Sequence, residues 1–470
     1  MTDDIAMLTA EALLAAYRAG EISPVDATQA ALTRIERFNG RVNAFNLVDA
    51  EGALAAAAES AERWRLGVPR GRLDGCPVSI KDLLLTEGWP TLRGSKAIDR
   101  QQSWAEDAPA VARLREHGAI LLGKTTSPEF GWKGVTDSPL EGITRNPWNP
   151  ETTPGGSSGG ASAAVAAGMG PLALGTDGGG SVRIPAGFTG IYGLKPSFGR
   201  IPAYPLSPFG TVSHIGPMTR SVGDAALLLT VLAEPDPRDA YGLPYDGADY
   251  QQGLDDGVKG LRVAFSPSLG GHTVDPEIAA LVAKAAWAFA DLGAEVELAE
   301  PDLSGSDEVF RCLWYAGAAN LMRRFDAEAQ AQMDPGFQEI AAEGARYSLL
   351  DYLAAVGRRE ELTVETNLFH KDYDILITPS LPLAAFEAGL EVPPGSGMER
   401  WPDWTPFSYP FNLTQQPAAS LPCGLTSTGL PIGLQIVGPR YADALVLRAS
   451  RAFEAAFPWQ FPDLETSLAG

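Results

Sequence analysis

The chain has 470 residues, 45% hydrophobic and 20% charged, a composition that fits a globular protein with a large core and excludes wholesale disorder. Its 36 basic and 58 acidic side chains leave a net charge of −22, a field that repels phosphate backbones and anionic lipid, so neither nucleic acid nor membrane is an expected partner. The 51 glycines and 37 prolines imply many tight turns, while no window repeats at a fixed period and the longest uncharged stretch is too weakly apolar to span a bilayer.

The amino terminus, Met1-Thr2-Asp3-Asp4, lacks the basic and apolar regions of a signal peptide. Cys76, Cys312 and Cys423 are odd in number and widely spaced, which argues against a disulfide framework and for a reducing, cytoplasmic setting. Residues 1–65 read as a helical segment packed on the core. In it Ser23-Pro24-Val25-Asp26 supplies a capping hydroxyl, a proline in the first turn and an acid at the positive end of the dipole. Ala27, Ala30, Ala31, Ile35 and Phe38 follow helical spacing, and Asn39-Gly40 ends the run.

From Gly75 onward short strands alternate with helices. Pro77 to Ile80 reads as a buried strand ending at Lys81-Asp82, 108–117 as a helix, and 119–124 as the strand after it. A second strand–helix–strand unit runs through 261–265, 276–292 and 294–298, and the runs 374–379 and 430–437 return to strand. The expected fold is therefore α/β, a large mixed and mostly parallel central sheet with helices on both faces. Its core would span 66–302 and 361–470, and a helical insertion over 303–360 would shape the substrate pocket.

Two glycine-rich segments carry hydroxyls: Gly155-Gly156-Ser157-Ser158-Gly159-Gly160 and Gly178-Gly179-Gly180-Ser181. Glycine lets backbone approach a ligand, and consecutive free N–H groups form an anion nest. Neither segment has the lysine of a phosphate loop or the spacing of a dinucleotide fingerprint. The remaining use is an oxyanion hole, with the N–H groups of Gly178, Gly179, Gly180 and Ser181 aimed at a developing oxyanion while Ser181 attacks the carbon. A rival is the G-x-S-x-G elbow with Ser158 as nucleophile. The prolines in Asn146 to Pro154 prevent the strand an elbow must follow, and nothing selects among His214, His272 and His370 as its base. A lysine can replace histidine as base if burial keeps it neutral, and Lys81, at the end of an apolar strand, is a candidate. The histidines and cysteines have no metal-ligand spacing and no cofactor motif is present, so neither a metal nor a cofactor is expected.

Taken together, Pro77 to Asp82, Gly155 to Gly160, Gly175 to Ala186, Gly193 to Pro196, Ile215 to Arg220 and Asn412 to Ala418 resemble the amidase signature family, in order and in the separation of Ser157 from Ser181. The resemblance implies a Ser-cisSer-Lys triad. Ser181 would form an acyl-enzyme, and Ser157, after a cis bond from Gly156, would pass its proton to Lys81. Asp177 and Arg183 would be structural residues that hold the loops. Gly178 stands where many members have Thr, which in principle loosens the oxyanion loop, and Ala161 stands where many have Ser. Dimers are common in the family, so a second copy of the chain is the expected partner.

Three functions fit such a chain: a stand-alone amidase, the glutaminase-type amidase subunit of a tRNA-dependent amidotransferase, or a non-catalytic binding module. Intact Lys81, Ser157 and Ser181 argue against the third. The amidotransferase subunit usually carries an Asp-Gln pair before Ile-Gly-Pro, where this chain has Ser213-His214, which favours the first. The expected pocket includes Gly131 and Trp132 of the loop Phe130-Gly131-Trp132, with Trp314 as a wall. Trp401 and Trp404 would belong to a lid or to a surface anchor. Aromatic lining suggests small-molecule aryl amides or carbamates (urethanes) as substrates.

Overall fold

In the computed structural model, which describes residues 2–468, the strands are β1 (Phe45–Val48), β2 (Pro77–Lys81), β3 (Ile120–Thr125), β4 (Asp137–Ser138), β5 (Gly142–Ile143), β6 (Leu172–Asp177), β7 (Tyr192–Lys195), β8 (His214–Thr219), β9 (Arg262–Phe265), β10 (Glu295–Leu298), β11 (Ile375–Pro379), β12 (Ala418–Leu425) and β13 (Pro431–Val437). All but β4 and β5, which pair with each other, form one 11-stranded sheet in the order β1-β3-β2-β6-β8-β7-β12-β13-β11-β9-β10. Met1, Ala469 and Gly470 of the expected terminal segments lie outside the described residues.

The sheet is mixed, as expected, but its parallel share is smaller than the alternation of strands and helices suggests. Four pairings are parallel (β2 with β3 and with β6, β9 with β10 and with β11) and six are antiparallel. The causes are local. A short turn over 426–430 joins β12 to β13 and can only make a hairpin. Likewise β8 inserts between β6 and β7 and runs against both. Both faces are covered, and the strand residues divide by period two: Leu172 and Leu174 join one buried cluster, Ala173 another; Val263 and Phe265 join the first, Ala264 a third.

The N-terminal stretch is not wholly helical. Between the helices Pro24–Val42 and Ala50–Arg65 the chain forms β1, which pairs antiparallel with the edge of β3. Ser23 caps the first of these helices in a reciprocal box with Asp26, the chemistry its sequence predicts. The stretch 303–360 carries the helices Ser306–Met322, Ala327–Gln330 and Pro335–Gly344, and a fourth, Leu349–Phe369, runs on past 360. No described helix is long and apolar enough to cross a membrane.

Candidate active site

Lys81 is the last residue of β2, and Thr176 and Asp177 end its neighbour β6, so three polar residues lie at the carboxyl edge of two parallel strands. Period-two alternation sends Thr176 and Asp177 to opposite faces. Thr176 faces Lys81: Nζ lies 2.9 Å from Thr176 Oγ1, 2.7 Å from Ser157 Oγ and 2.8 Å from Ser158 Oγ. The Lys81 side chain is fully buried. Burial pushes its pKa well below the usual lysine value, with the Asp177 carboxylate opposing only in part.

The proton inventory of this cluster is constrained. Ser158 Oγ donates to the Thr176 carbonyl at 3.1 Å and accepts from the Thr176 amide at 3.2 Å. Its hydrogen is therefore spent, and towards Lys81 it can only accept. A neutral lysine has two N–H bonds and one lone pair. With Ser158 Oγ limited to accepting, a neutral lysine can give it one hydrogen and still offer its lone pair to the Ser157 hydroxyl. The same bonds tie the Ser158 hydroxyl to the Thr176 backbone, which argues against it as an elbow nucleophile. None of the candidate histidines hydrogen-bonds a serine: His214 Nδ1 lies 2.8 Å from the Val212 carbonyl, His370 Nδ1 lies 3.0 Å from the Tyr373 carbonyl, and His272 packs on Phe407.

The Gly156–Ser157 peptide bond is cis. Ser181 is 4% exposed, and its carbonyl accepts the Ser158 amide at 3.2 Å, which ties the two serine loops together. The structure thus brings Lys81 and Ser157 into hydrogen-bond contact and sets Ser181 beside them through the backbone. Ser181 Oγ itself has no hydrogen-bond partner among the described residues.

One expected oxyanion donor needs correction. The Gly180 amide donates to Asp177 Oδ1 at 2.7 Å and is not free. The amides of Gly178, Gly179 and Ser181 have no hydrogen-bond partner among the described residues, and these are the donors left for an oxyanion. Gly180 is required for shape, because its φ is 122° and a Cβ there would lie 2.3 Å from Ser408 Oγ.

Asp177 holds the loop from behind. Its carboxylate takes Arg183 Nε and Nη2 at 3.0 Å each and Asn412 Nδ2 at 2.8 Å. The remaining Arg183 hydrogens go to the Ser408 carbonyl, Gln435 Oε1 and Asn412 Oδ1, so all five guanidinium donors are satisfied. Burial would raise the Asp177 carboxyl, but the Arg183 guanidinium, with Lys195 and Asn412, holds it well below the carboxylate range.

Gly131 sits against the relay: a Cβ there would lie 3.2 Å from Ser157 Oγ. The two tryptophans expected to line the pocket are buried and are absent from the lining of the cavity described below. Trp132 is fully buried with its ring against Phe337, and Trp314 is 2% exposed. Trp314 stacks on Phe209 at 3.7 Å and donates Nε1 to the Trp132 carbonyl at 3.0 Å, so it braces the Phe130–Trp132 loop from inside. Trp401 and Trp404 are likewise buried. Trp404 stacks on Phe188 and donates to the Glu391 carbonyl, which makes it an anchor and not a lid.

A cavity of about 110 Å³ reaches the cluster at Thr176. Leu83, Phe130, Phe198, Tyr204 and His214 line it; Ser157 and Ser181 do not. Burial pushes the His214 pKa well below its usual value, so the ring is neutral there. Sequence reasoning missed Thr176 and the accepting role of Ser158, although both lie within the segments that carry the chemistry.

Comparison with known proteins identifies the family. The amidase family profile matches residues 26–447. An acylamidase of Rhodococcus erythropolis is 39% identical over 459 residues, spanning 96% of each chain. A subunit of the glutamyl-tRNA(Gln) amidotransferase of Myxococcus xanthus (strain DK1622) is 36% identical over 477 residues, spanning 96% of this chain and 97% of that protein. The crystal structure of a bacterial aryl acylamidase of the amidase signature family superposes with a TM-score of 0.90 at 32% identity, covering 96% of both chains. The chain belongs to the amidase signature family and is a hydrolase of amide C–N bonds.

Proposed function

We propose that the chain hydrolyses carboxylic amides through an acyl-enzyme on Ser181, with Ser157 and Lys81 moving the proton. Ser181 Oγ attacks the carbonyl carbon as its hydrogen passes to Ser157 Oγ, whose own hydrogen passes to the Lys81 lone pair. The C–O bond forms, and the carbonyl electrons move onto oxygen, which the free amides of Gly178, Gly179 and Ser181 stabilise. The proton then returns through Ser157 to the leaving nitrogen as the C–N bond breaks. Water repeats the sequence on the ester and releases the acid.

The observation that carries this reading is the buried Lys81, whose Nζ lies 2.7 Å from Ser157 Oγ, 2.8 Å from Ser158 Oγ and 2.9 Å from Thr176 Oγ1. Aryl amides, anilides and carbamates are the proposed substrates, since each presents the same carbonyl to the same loop. Similarity to an acylamidase and an aryl acylamidase supports the amide part. The glutaminase-type reading has less support: Ser213 and a neutral His214 stand where the amidotransferase component usually carries its acidic residue. A panel of amides, anilides, esters and carbamates, assayed with wild type and Ser181→Ala and with no partner protein added, tests the proposal. Turnover by the isolated chain and an acyl adduct on Ser181 by mass spectrometry are expected. Activity that survives Ser181→Ala would overturn it.

A further inference from the structure

Arg93 also lines the cavity that meets the Lys81 cluster at Thr176. Arg93 Nε is buried without a hydrogen-bond partner, and among the described residues the side chain makes neither a hydrogen bond nor an ion pair. A guanidinium keeps its proton in a protein, so a buried charge sits here with the Asp82 carboxylate as its nearest opposite charge but with no hydrogen-bonded partner. The Asp82 carboxylate favours the charge on Arg93 through space but makes no ion pair with it, and it is shared with other groups. Its Oδ2 accepts Asn46 Nδ2 at 3.1 Å and the Arg93 backbone amide at 2.9 Å, and its Oδ1 lies 3.6 Å from Lys124 Nζ. Asp239, on the rim, accepts the Tyr241 amide and lies beyond ion-pair distance of Arg93. The field at Arg93 contains a second cation, Arg324, which follows the helix Ser306–Met322.

The backbone points to the same place. Arg93 and Phe130 have φ of 56° and 53°, in the left-handed region that non-glycine residues seldom adopt. The Phe130 amide donates to the Arg93 carbonyl at 2.7 Å, so the two strained residues hold each other, and both line the cavity. Such strain persists where surrounding structure imposes it, and it clusters at ligand sites.

We propose that Arg93 is a specificity-determining residue that binds a carboxylate on the part of the substrate remote from the scissile bond, so that the preferred substrates are amides carrying a carboxylate. The inference rests on the Ser181 reading for its chemistry, but not for the binding it predicts.

Two pairs, each of a charged and a neutral amide, test both sides of the scissile bond: 4-acetamidobenzoate against 4-methylacetanilide, and succinanilate against pentananilide. The readout is the charged-to-neutral ratio of kcat/KM, which cancels any general damage from a substitution. In at least one pair, Arg93→Met should lower that ratio by about 10–100-fold, the usual worth of a hydrogen bond to a charged group. The change should lie mainly in KM, shrink in high salt and be partly restored by Arg93→Lys. A ratio unchanged in both pairs, with charged and neutral substrates losing equally, would mean a structural arginine and overturns the proposal. Calorimetry of 4-acetamidobenzoate and 4-methylacetanilide on Ser181→Ala, with and without Arg93→Met, reads the same preference without turnover. If wild type hydrolyses none of the four, the catalytic reading fails while the anion site still stands or falls on that binding ratio.

Discussion

The indole of Trp314 lies where a side chain on residue 178 would begin: a Cβ added to Gly178 would sit 2.7 Å from Trp314 Cζ3. The missing side chain therefore does not loosen the oxyanion loop, as the sequence alone suggests. The ring fills the space, and Phe310 and Trp401 do the same at Gly179, where a Cβ would lie 2.6 and 2.7 Å from their ring atoms.

Gly178→Ala should then shift the loop and the indole together. Overpacking of this kind costs about 1–3 kcal/mol of stability, and kcat should fall with it because an oxyanion donor moves. Trp314→Leu opens a cavity and is itself destabilising, yet it removes the clash. In a double-mutant cycle of urea unfolding, Gly178→Ala with Trp314→Leu should cost less than the sum of the singles. Additive losses would show that the two residues do not press on each other.

Three adjacent hydroxyls should separate cleanly in kinetics. Ser181→Ala removes the nucleophile and should lower kcat by about 10³-fold or more. Ser157→Ala breaks the relay and should cost about 10²–10⁴-fold, the range of general acid–base catalysis. Ser158→Ala leaves both in place and removes one acceptor of Lys81, so its loss should be the smallest of the three. An acyl adduct mapped to Ser158 by peptide mass spectrometry, or Ser158→Ala as the most damaging of the set, would revive the elbow.

Why some of this was readable in the chain and some was not follows from where the determining contacts lie. Ser23 to Asp26 caps a helix through neighbours three residues apart, and the apolar run before Lys81 makes a strand wherever it is buried, so both are local signals. The strand β6 is hidden because Gly175-Thr176-Asp177 looks like a loop, and β8 because Pro217 sits inside it, opposite Leu174. β12 carries Pro422 beside an irregularity in its pairing with β13. Motif order names Lys81, Ser157 and Ser181. The indole of Trp314 reaches Gly178 from a distant helix, and no window of sequence contains that contact.

Asp177 should prove structural, with a large penalty on removal. Asp177→Asn leaves the Arg183 guanidinium buried without its counter-charge, which costs about 3–5 kcal/mol. The Asp177 carboxyl is held below its unfolded value of about 3.9, so its contribution to stability is present above that pH and fades as pH falls through the folded value. Urea midpoints of wild type and Asp177→Asn should therefore differ most near neutrality and converge in strong acid. A gap that stays constant down to acid pH would mean that ionisation of Asp177 is not the source of the penalty.

Lys81 makes the opposite demand on stability. Its folded pKa is depressed below the unfolded lysine value of about 10.4, so between the two values the unfolded chain binds the extra proton. Wild-type stability must then rise with pH through that window, relative to a variant that lacks the group. Lys81→Met should abolish turnover yet be at least as stable as wild type near neutral pH, with the difference shrinking as pH approaches about 10. Catalysis has its own pH mark: kcat/KM of wild type should fall on the acid side as Lys81 gains a proton and loses the lone pair that Ser157 needs. A Lys81→Met chain that is less stable than wild type at every pH, or an acid limb absent from the wild-type profile, would mean that the lysine is charged in its resting state and cannot serve as the base.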